Sequence, residues 1–98
     1  MKNNYEITLD EFNKIKNESI IIDVRTPGEV SMIEMIDGAT NIPLPHLISK
    51  IESVVGKDKT KTIVLVCASG SRSMMAAVMT RDMGYINAVS LKGGLTNF

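Results

Sequence analysis

Cys67 is the only cysteine in the 98-residue chain, and it stands where two sequence patterns meet. Before it, Thr62 to Val66 is an apolar run rich in β-branched residues, the pattern of a strand covered on both faces. After it, Ala68, Ser69, Gly70 and Ser71 are small enough for tight backbone curvature, and helical spacing takes over from Met74. A strand-to-helix turn of this kind can aim successive N–H groups at one spot, and that spot attracts an anion. A thiol placed there ionises early for two separable reasons: the unpaired amides of the helix N-terminus carry partial positive charge, and Arg72 adds a full one. The thiolate is the nucleophilic form, so these residue types point to covalent chemistry at sulfur. The competing reading is a buried cysteine acting as a small hydrophobe, which needs neither a glycine-containing turn nor an adjacent arginine.

The remaining segments have to position that turn. Ser19 to Val24 reads as a central parallel strand with Asp23 where it emerges from the core, and ligands of open α/β sheets gather at such carboxyl ends. Asp23, Arg25 and Glu29 lie close enough in sequence to form an ion pair that pins the next loop, a structural pairing expected ahead of direct substrate contact. Upstream, Tyr5 to Ile7 starts a short strand, and Thr8 with Glu11 forms a capping box, stapled by Ile7 and Phe12, for a helix with Leu9, Phe12 and Ile15 on one face. Thr26-Pro27-Gly28 is a turn, and Glu29 to Ile36 follows as a short helix or covered loop.

Gly38 to Ile42 reads as a brief strand. Pro45 then opens a helix whose apolar stripe is Leu47, Ile48, Ile51, Val54 and Val55, stopped by Gly56. Met75, Met79 and Met83, every four residues beside Val78, mark the expected core face of the helix after Cys67, and Gly84 ends it. Asn87 to Leu91 is a last strand, and Lys92-Gly93-Gly94-Leu95 is a turn whose glycines permit close backbone approach. Strands alternating with helices predict an α/β fold of parallel βαβ units with right-handed crossovers and helices on both faces.

Four blocks of the chain, in order, resemble rhodanese-like sulfurtransferase domains: Ile22-Asp23-Val24-Arg25 with Glu29; Asp37 to Pro43 (DGATNIP); Cys67 to Ser73 (CASGSRS) with Ala76-Ala77; and Leu91-Lys92-Gly93-Gly94. The resemblance covers nearly the whole chain and implies one domain over residues 1–98, a three-layer fold with a five-stranded, mostly parallel sheet. It implies that Cys67 is the catalytic residue, that Ala68, Ser69, Gly70, Ser71, Arg72 and Ser73 form the anion-binding loop, and that Asp23, Arg25 and Glu29 support it. Phe98 falls where such domains often carry an aromatic residue. Glu34-Met35-Ile36 departs from the pattern, which often has Gly-His-Ile there; the departure bears on rate rather than on reaction type.

Composition excludes other classes. Eleven acidic and eleven basic residues balance without a long run of either sign, so neither a nucleic-acid partner nor a membrane-binding patch is expected. One cysteine rules out an intrachain disulfide, a CxxC redox pair and a multi-cysteine zinc site, and no metal or organic cofactor is expected. His46, the only histidine, sits at an exposed helix start and is expected to be solvated rather than to serve as a base for Cys67. The polar N-terminus lacks a signal-peptide core and no apolar run reaches membrane-spanning length, so a reducing cytoplasm is the expected compartment.

The expected reaction moves a sulfane sulfur from a small anionic donor, such as thiosulfate or a polysulfide, to a thiol, cyanide or protein acceptor through a persulfide on Cys67. Two other readings use the same residues. One is a carrier or regulatory module that does not turn over. The other is a cysteine phosphatase or arsenate reductase, whose loop places five residues between Cys and Arg, whereas Cys67 and Arg72 enclose four.

Overall fold

The computed structural model describes residues 4–98; Met1 to Asn3, the start of the polar N-terminal stretch, lie outside the described residues. The elements run β1 (Glu6–Ile7), α1 (Leu9–Ile15), β2 (Ile20–Asp23), α2 (Pro27–Met32), β3 (Thr40–Asn41), α3 (Leu47–Val55), β4 (Ile63–Val66), α4 (Ser71–Asp82) and β5 (Ala88–Leu91). Short 3₁₀ turns precede α3, follow α1 and close the chain at Gly94–Asn97.

The five strands form one sheet in the order β1-β5-β4-β2-β3, and every pairing is parallel, where the family resemblance implied a mostly parallel sheet. β4 lies at the centre, and all four of its residues are buried because helices cover both of its faces. On one face, Ile22, Val24, Ile63 and Leu65 pack with Leu47, Ile51 and Val55 of α3 and Ala76 and Ala77 of α4. On the other, Ile21, Val64, Val66 and Leu91 pack with Phe12 of α1, and Ile36 and Leu95 join them.

Two expectations about helix faces need correction. The buried residues of α4 are Ser73, Ala76, Ala77 and Thr80, while Met75 is 57% exposed. A stripe repeating every four residues drifts by about 40° per step around a helix, so the methionines turn from solvent at Met75 toward the core at Met83. Small side chains at the true contact face let α4 lie close on β4 and β5. In α3, Ile48 is 58% exposed and the buried face is carried by Leu47, Ile51 and Val55.

The N-terminal reading holds. Thr8 Oγ1 accepts from the Glu11 N–H at 3.1 Å and Glu11 Oε1 accepts from the Thr8 N–H at 2.8 Å, with Ile7 packed on the core that holds Phe12. Phe98 meets Phe12 edge to face at a centroid distance of 6.4 Å. Among the described residues no helix is long and apolar enough to cross a membrane, and no cluster of His, Cys, Asp or Glu could hold a metal ion.

Candidate active site

The parallel register sets β2 and β4 side by side with Asp23 opposite Val66, and each strand hands over to a helix at its carboxyl end. The two handovers are adjacent. At the β4 end, Cys67 is fully buried, and Gly70 adopts φ +106°, a left-handed conformation that starts α4 without a side-chain cap. That turn brings two amides onto the sulfur: the Gly70 N–H donates to Cys67 Sγ at 3.1 Å and the Ser73 N–H at 3.3 Å. Ser73 Oγ stands 3.5 Å from the same sulfur.

Burial pushes the Cys67 thiol up, since a charge is harder to hold away from water. The Ser73 hydroxyl and the amides of Ser73, Gly70 and Ser69 outweigh that and hold it below the ordinary cysteine range. Arg72 lies near enough for its charge to act on Cys67, but its hydrogen bonds go elsewhere: its two terminal nitrogens donate to both carboxylate oxygens of Glu29 at 2.7 and 2.8 Å. The fork geometry of guanidinium and carboxylate fixes that pair, and Arg72 ties α4 to α2.

The Asp23, Arg25 and Glu29 group is also rearranged. Asp23 and Arg25 pair as expected, almost fully buried, with Arg25 Nη2 2.8 Å from Asp23 Oδ2 and Arg25 Nε 3.0 Å from both carboxylate oxygens. The Arg25 N–H donates to the same carboxylate at 3.0 Å, which folds the turn back on itself. Glu29 offers Arg25 only its backbone carbonyl, at 3.5 Å. Its carboxylate instead caps α2, accepting from the Thr26 N–H at 3.0 Å while also holding Arg72. The Arg72 guanidinium and the Thr26 amide pull Glu29 down from 4.5 to about 2.

Ala68, Ser69 and Ser71 supply the turn's backbone, and Ser69 and Ser71 turn toward solvent. His46 lies exposed in the 3₁₀ turn before α3. Three further residues complete the site: Ser90, Asn41 from the Asp37 to Pro43 block, and Gly94 from the glycine turn expected to permit close backbone approach. Ser90, buried in β5, lies 2.7 Å from Ser73 Oγ, hydroxyl to hydroxyl. Its only sequence signal is a serine inside an otherwise apolar strand. Asn41 donates to the carbonyls of Asp23 and Arg25 at 2.9 and 3.0 Å, tying β3 to the turn after β2. Gly94 lies so near the Cys67 turn that a Cβ would stand 2.3 Å from the Cys67 carbonyl oxygen. The amide of Leu95 donates to that oxygen at 3.1 Å.

A parallel α/β domain that carries a hydrogen-bonded, acidified cysteine in the turn after its central strand is a defined class of protein. The sequence profile of the rhodanese-like domain family matches residues 8–98. A sulfurtransferase of Allochromatium vinosum is 36% identical over 76 residues, 78% of this chain and 67% of that protein. The adenylyltransferase and sulfurtransferase UBA4 of Meyerozyma guilliermondii is 28% identical across 100% of this chain, which spans only 24% of that protein. Among solved structures, the human single-domain sulfurtransferase TSTD1 superposes with a TM-score of 0.81 at 24% identity, covering 94% of this chain and 92% of that one, a likeness of fold. The chain belongs to the rhodanese-like domain family of sulfurtransferases.

Proposed function

We propose that the protein transfers a sulfane sulfur through a persulfide on Cys67. The observation that carries this reading is the set of donors converging on one sulfur: the amides of Gly70 and Ser73 and the Ser73 hydroxyl. They stabilise the thiolate before reaction and the terminal sulfur anion after it. With thiosulfate as donor, the thiolate attacks the outer sulfur, a new S–S bond forms, and the donor's S–S bond breaks with its electron pair leaving on sulfite. An acceptor thiolate or cyanide then attacks the outer sulfur of the persulfide and returns Cys67 as thiolate.

In this reading the backbone of Ala68, Ser69, Gly70 and Ser71 shapes the sulfur cradle, Arg72 and Glu29 clamp its rim, and Asp23 and Arg25 hold the neighbouring turn. Because Cys67 has no exposed surface, the turn has to yield to admit the donor. The four residues between Cys67 and Arg72, against five in the phosphatase loop, support sulfur over phosphoryl chemistry, since a smaller ring suits a sulfur atom better than a tetrahedral phosphoryl group.

Intact mass after incubation with excess thiosulfate, then with cyanide, tests the proposal against Cys67→Ser. The expected result is a gain of one sulfur atom that cyanide removes and that the variant lacks. A folded protein with a free thiol that gains no sulfur from thiosulfate or polysulfide would sink the reading. Sulfur that loads but passes to no small acceptor would identify a carrier serving a protein partner.

A further inference from the structure

We infer that Ser90 is a positioning residue for Cys67, acting through Ser73: its hydroxyl donates to Ser73 Oγ and holds that oxygen where the Ser73 proton can reach the sulfur. The inference deepens the persulfide reading and rests on Cys67 being the nucleophile.

The argument is a count of protons. Ser73 Oγ is within hydrogen-bond distance of three groups: the Ser90 hydroxyl at 2.7 Å, the Gly70 carbonyl at 3.2 Å and Cys67 Sγ at 3.5 Å. Ser73 has one hydroxyl proton to give. Ser90 is fully buried, its hydroxyl proton needs an acceptor, and among the described residues its hydrogen-bond partner is Ser73 Oγ. Ser90 is therefore the donor of that pair. The Ser73 proton is left to choose between the Gly70 carbonyl and the sulfur.

While Cys67 is a thiol, its own proton points at Ser73 Oγ and the Ser73 proton goes to Gly70. When the thiol proton leaves to water, the charge on sulfur draws the Ser73 proton across, because a hydrogen bond to an ion is the stronger one. The Gly70 carbonyl keeps its bond from the Met74 N–H at 3.1 Å, so the exchange leaves no buried acceptor unpaired. Through both states Ser90 keeps the same bond. It fixes the pivot and polarises the Ser73 hydroxyl into a better donor.

The fold places Ser90 for this role. It is one residue before the end of β5, paired with Leu65 of β4, on the same face as Ala88 and beneath the first turn of α4. Neither Ser73 nor Ser90 touches water, so this hydroxyl pair is held at low dielectric, where a donor acts strongly on a nearby charge.

The test is titration of the thiolate by its ultraviolet absorbance, with Cys67→Ser subtracted to remove the tyrosines. The chain has a single cysteine, so one group is read. Ser90→Ala should raise the midpoint by about one pH unit, about tenfold less thiolate at any pH well below it. In a Ser73→Ala background, Ser90→Ala should add nothing further. Ser90→Thr, which keeps the hydroxyl, should titrate as the wild type does.

Should the alanine variant fail to fold, the isosteric pair Ser90→Thr and Ser90→Val carries the comparison, with valine expected at the raised midpoint. A midpoint unchanged in Ser90→Ala, or additive with Ser73→Ala, overturns the inference. A lowered midpoint does so too, since it would make Ser90 a competing acceptor. The titration uses no sulfur donor: a Ser90-dependent midpoint in a protein that loads no sulfur upholds the positioning and sinks sulfur transfer.

Discussion

The helices α2 and α4 follow neighbouring parallel strands and start side by side, yet their first turns are closed by different atoms. In α2 the N–H of the third residue, Glu29, is taken by the cap oxygen Thr26 Oγ1 at 3.2 Å, and the Glu29 carboxylate closes back on Thr26. In α4 the N–H of the third residue, Ser73, goes to Cys67 Sγ at 3.3 Å, and a glycine stands where the cap would be. The same helical donor is thus satisfied by a side-chain oxygen in one place and by an ionisable sulfur in the other. The first arrangement is inert and fixes a loop; the second lends the amides of the helix start to the sulfur proposed as the nucleophile. Arg72 and Glu29 join the two, so that the closed turn braces the chemical one.

The largest effect is expected where the α4 turn has no room. Gly94→Ala places a Cβ 2.3 Å from the Cys67 carbonyl oxygen and 2.8 Å from the Ala68 carbonyl carbon and oxygen, all backbone atoms of the turn itself. Backbone cannot step aside as a side-chain tip can, so a stability loss of about 3 kcal/mol is expected, with sulfur transfer lost even in the fraction that folds. Gly38→Ala is the control. Gly38 has φ +85° but nothing within 4 Å of its added Cβ, so that variant should show the conformational strain alone, about 1 kcal/mol, and keep its transfer rate. Denaturant unfolding and thiosulfate turnover, measured on both, separate the two effects. If both glycines behaved alike, the close approach at Cys67 would have no special part.

A smaller effect belongs to the brace. Glu29 titrates at about 2 in the folded protein rather than 4.5, because Arg72 and the Thr26 amide hold its charged form. A lowered folded value means stability that is fully present above 4.5 and is lost as the pH falls through about 2. In Glu29→Gln that portion of the acid dependence should vanish, so the melting temperatures of variant and wild type converge toward pH 2 and separate above 4.5. Both side chains of the pair are more than a third exposed, which keeps the effect modest and sensitive to salt. A constant gap across that pH range would show that the carboxylate does not carry the brace by its charge.

Much of this arrangement was legible from residue types. Thr8 with Glu11 and the β-branched run before Cys67 announced local structure that depends on near neighbours in sequence, and the structure follows them. The family blocks placed Asp23 and Arg25 together, and the pair forms within a single turn. What could not be read is set by contacts across the chain. Glu29 lies four residues from Arg25 but bonds Arg72, 43 residues away, because adjacent parallel strands bring their two turns together. Ser90 gives only a faint signal, a serine in an apolar strand, since a buried serine declares its role only when a second hydroxyl from another element lies opposite. The methionines of α4 misled because helical periodicity gives a stripe without its orientation, and the sheet chose Ala76 and Ala77 instead.

The smallest effect tests whether a capping box away from the site is only a cap. Thr8 heads α1 with the same reciprocal bonds that Thr26 makes in α2, but its Glu11 lies on the opposite side of the sheet from the α3 and α4 layer. Thr8→Ala removes the oxygen that accepts the Glu11 N–H and should cost about 1 kcal/mol in denaturant unfolding. The Cys67 midpoint and the sulfur-transfer rate should stay at their wild-type values, because the amides at the sulfur are untouched. Thr26→Ala should cost about as much stability yet also slow transfer, since it removes the oxygen bonded to both the Glu29 N–H and its carboxylate and so loosens Glu29, and Arg72 with it. Equal losses of transfer in the two variants would mean that stability alone governs the rate, and that the closed turn of α2 is no closer to the chemistry than that of α1.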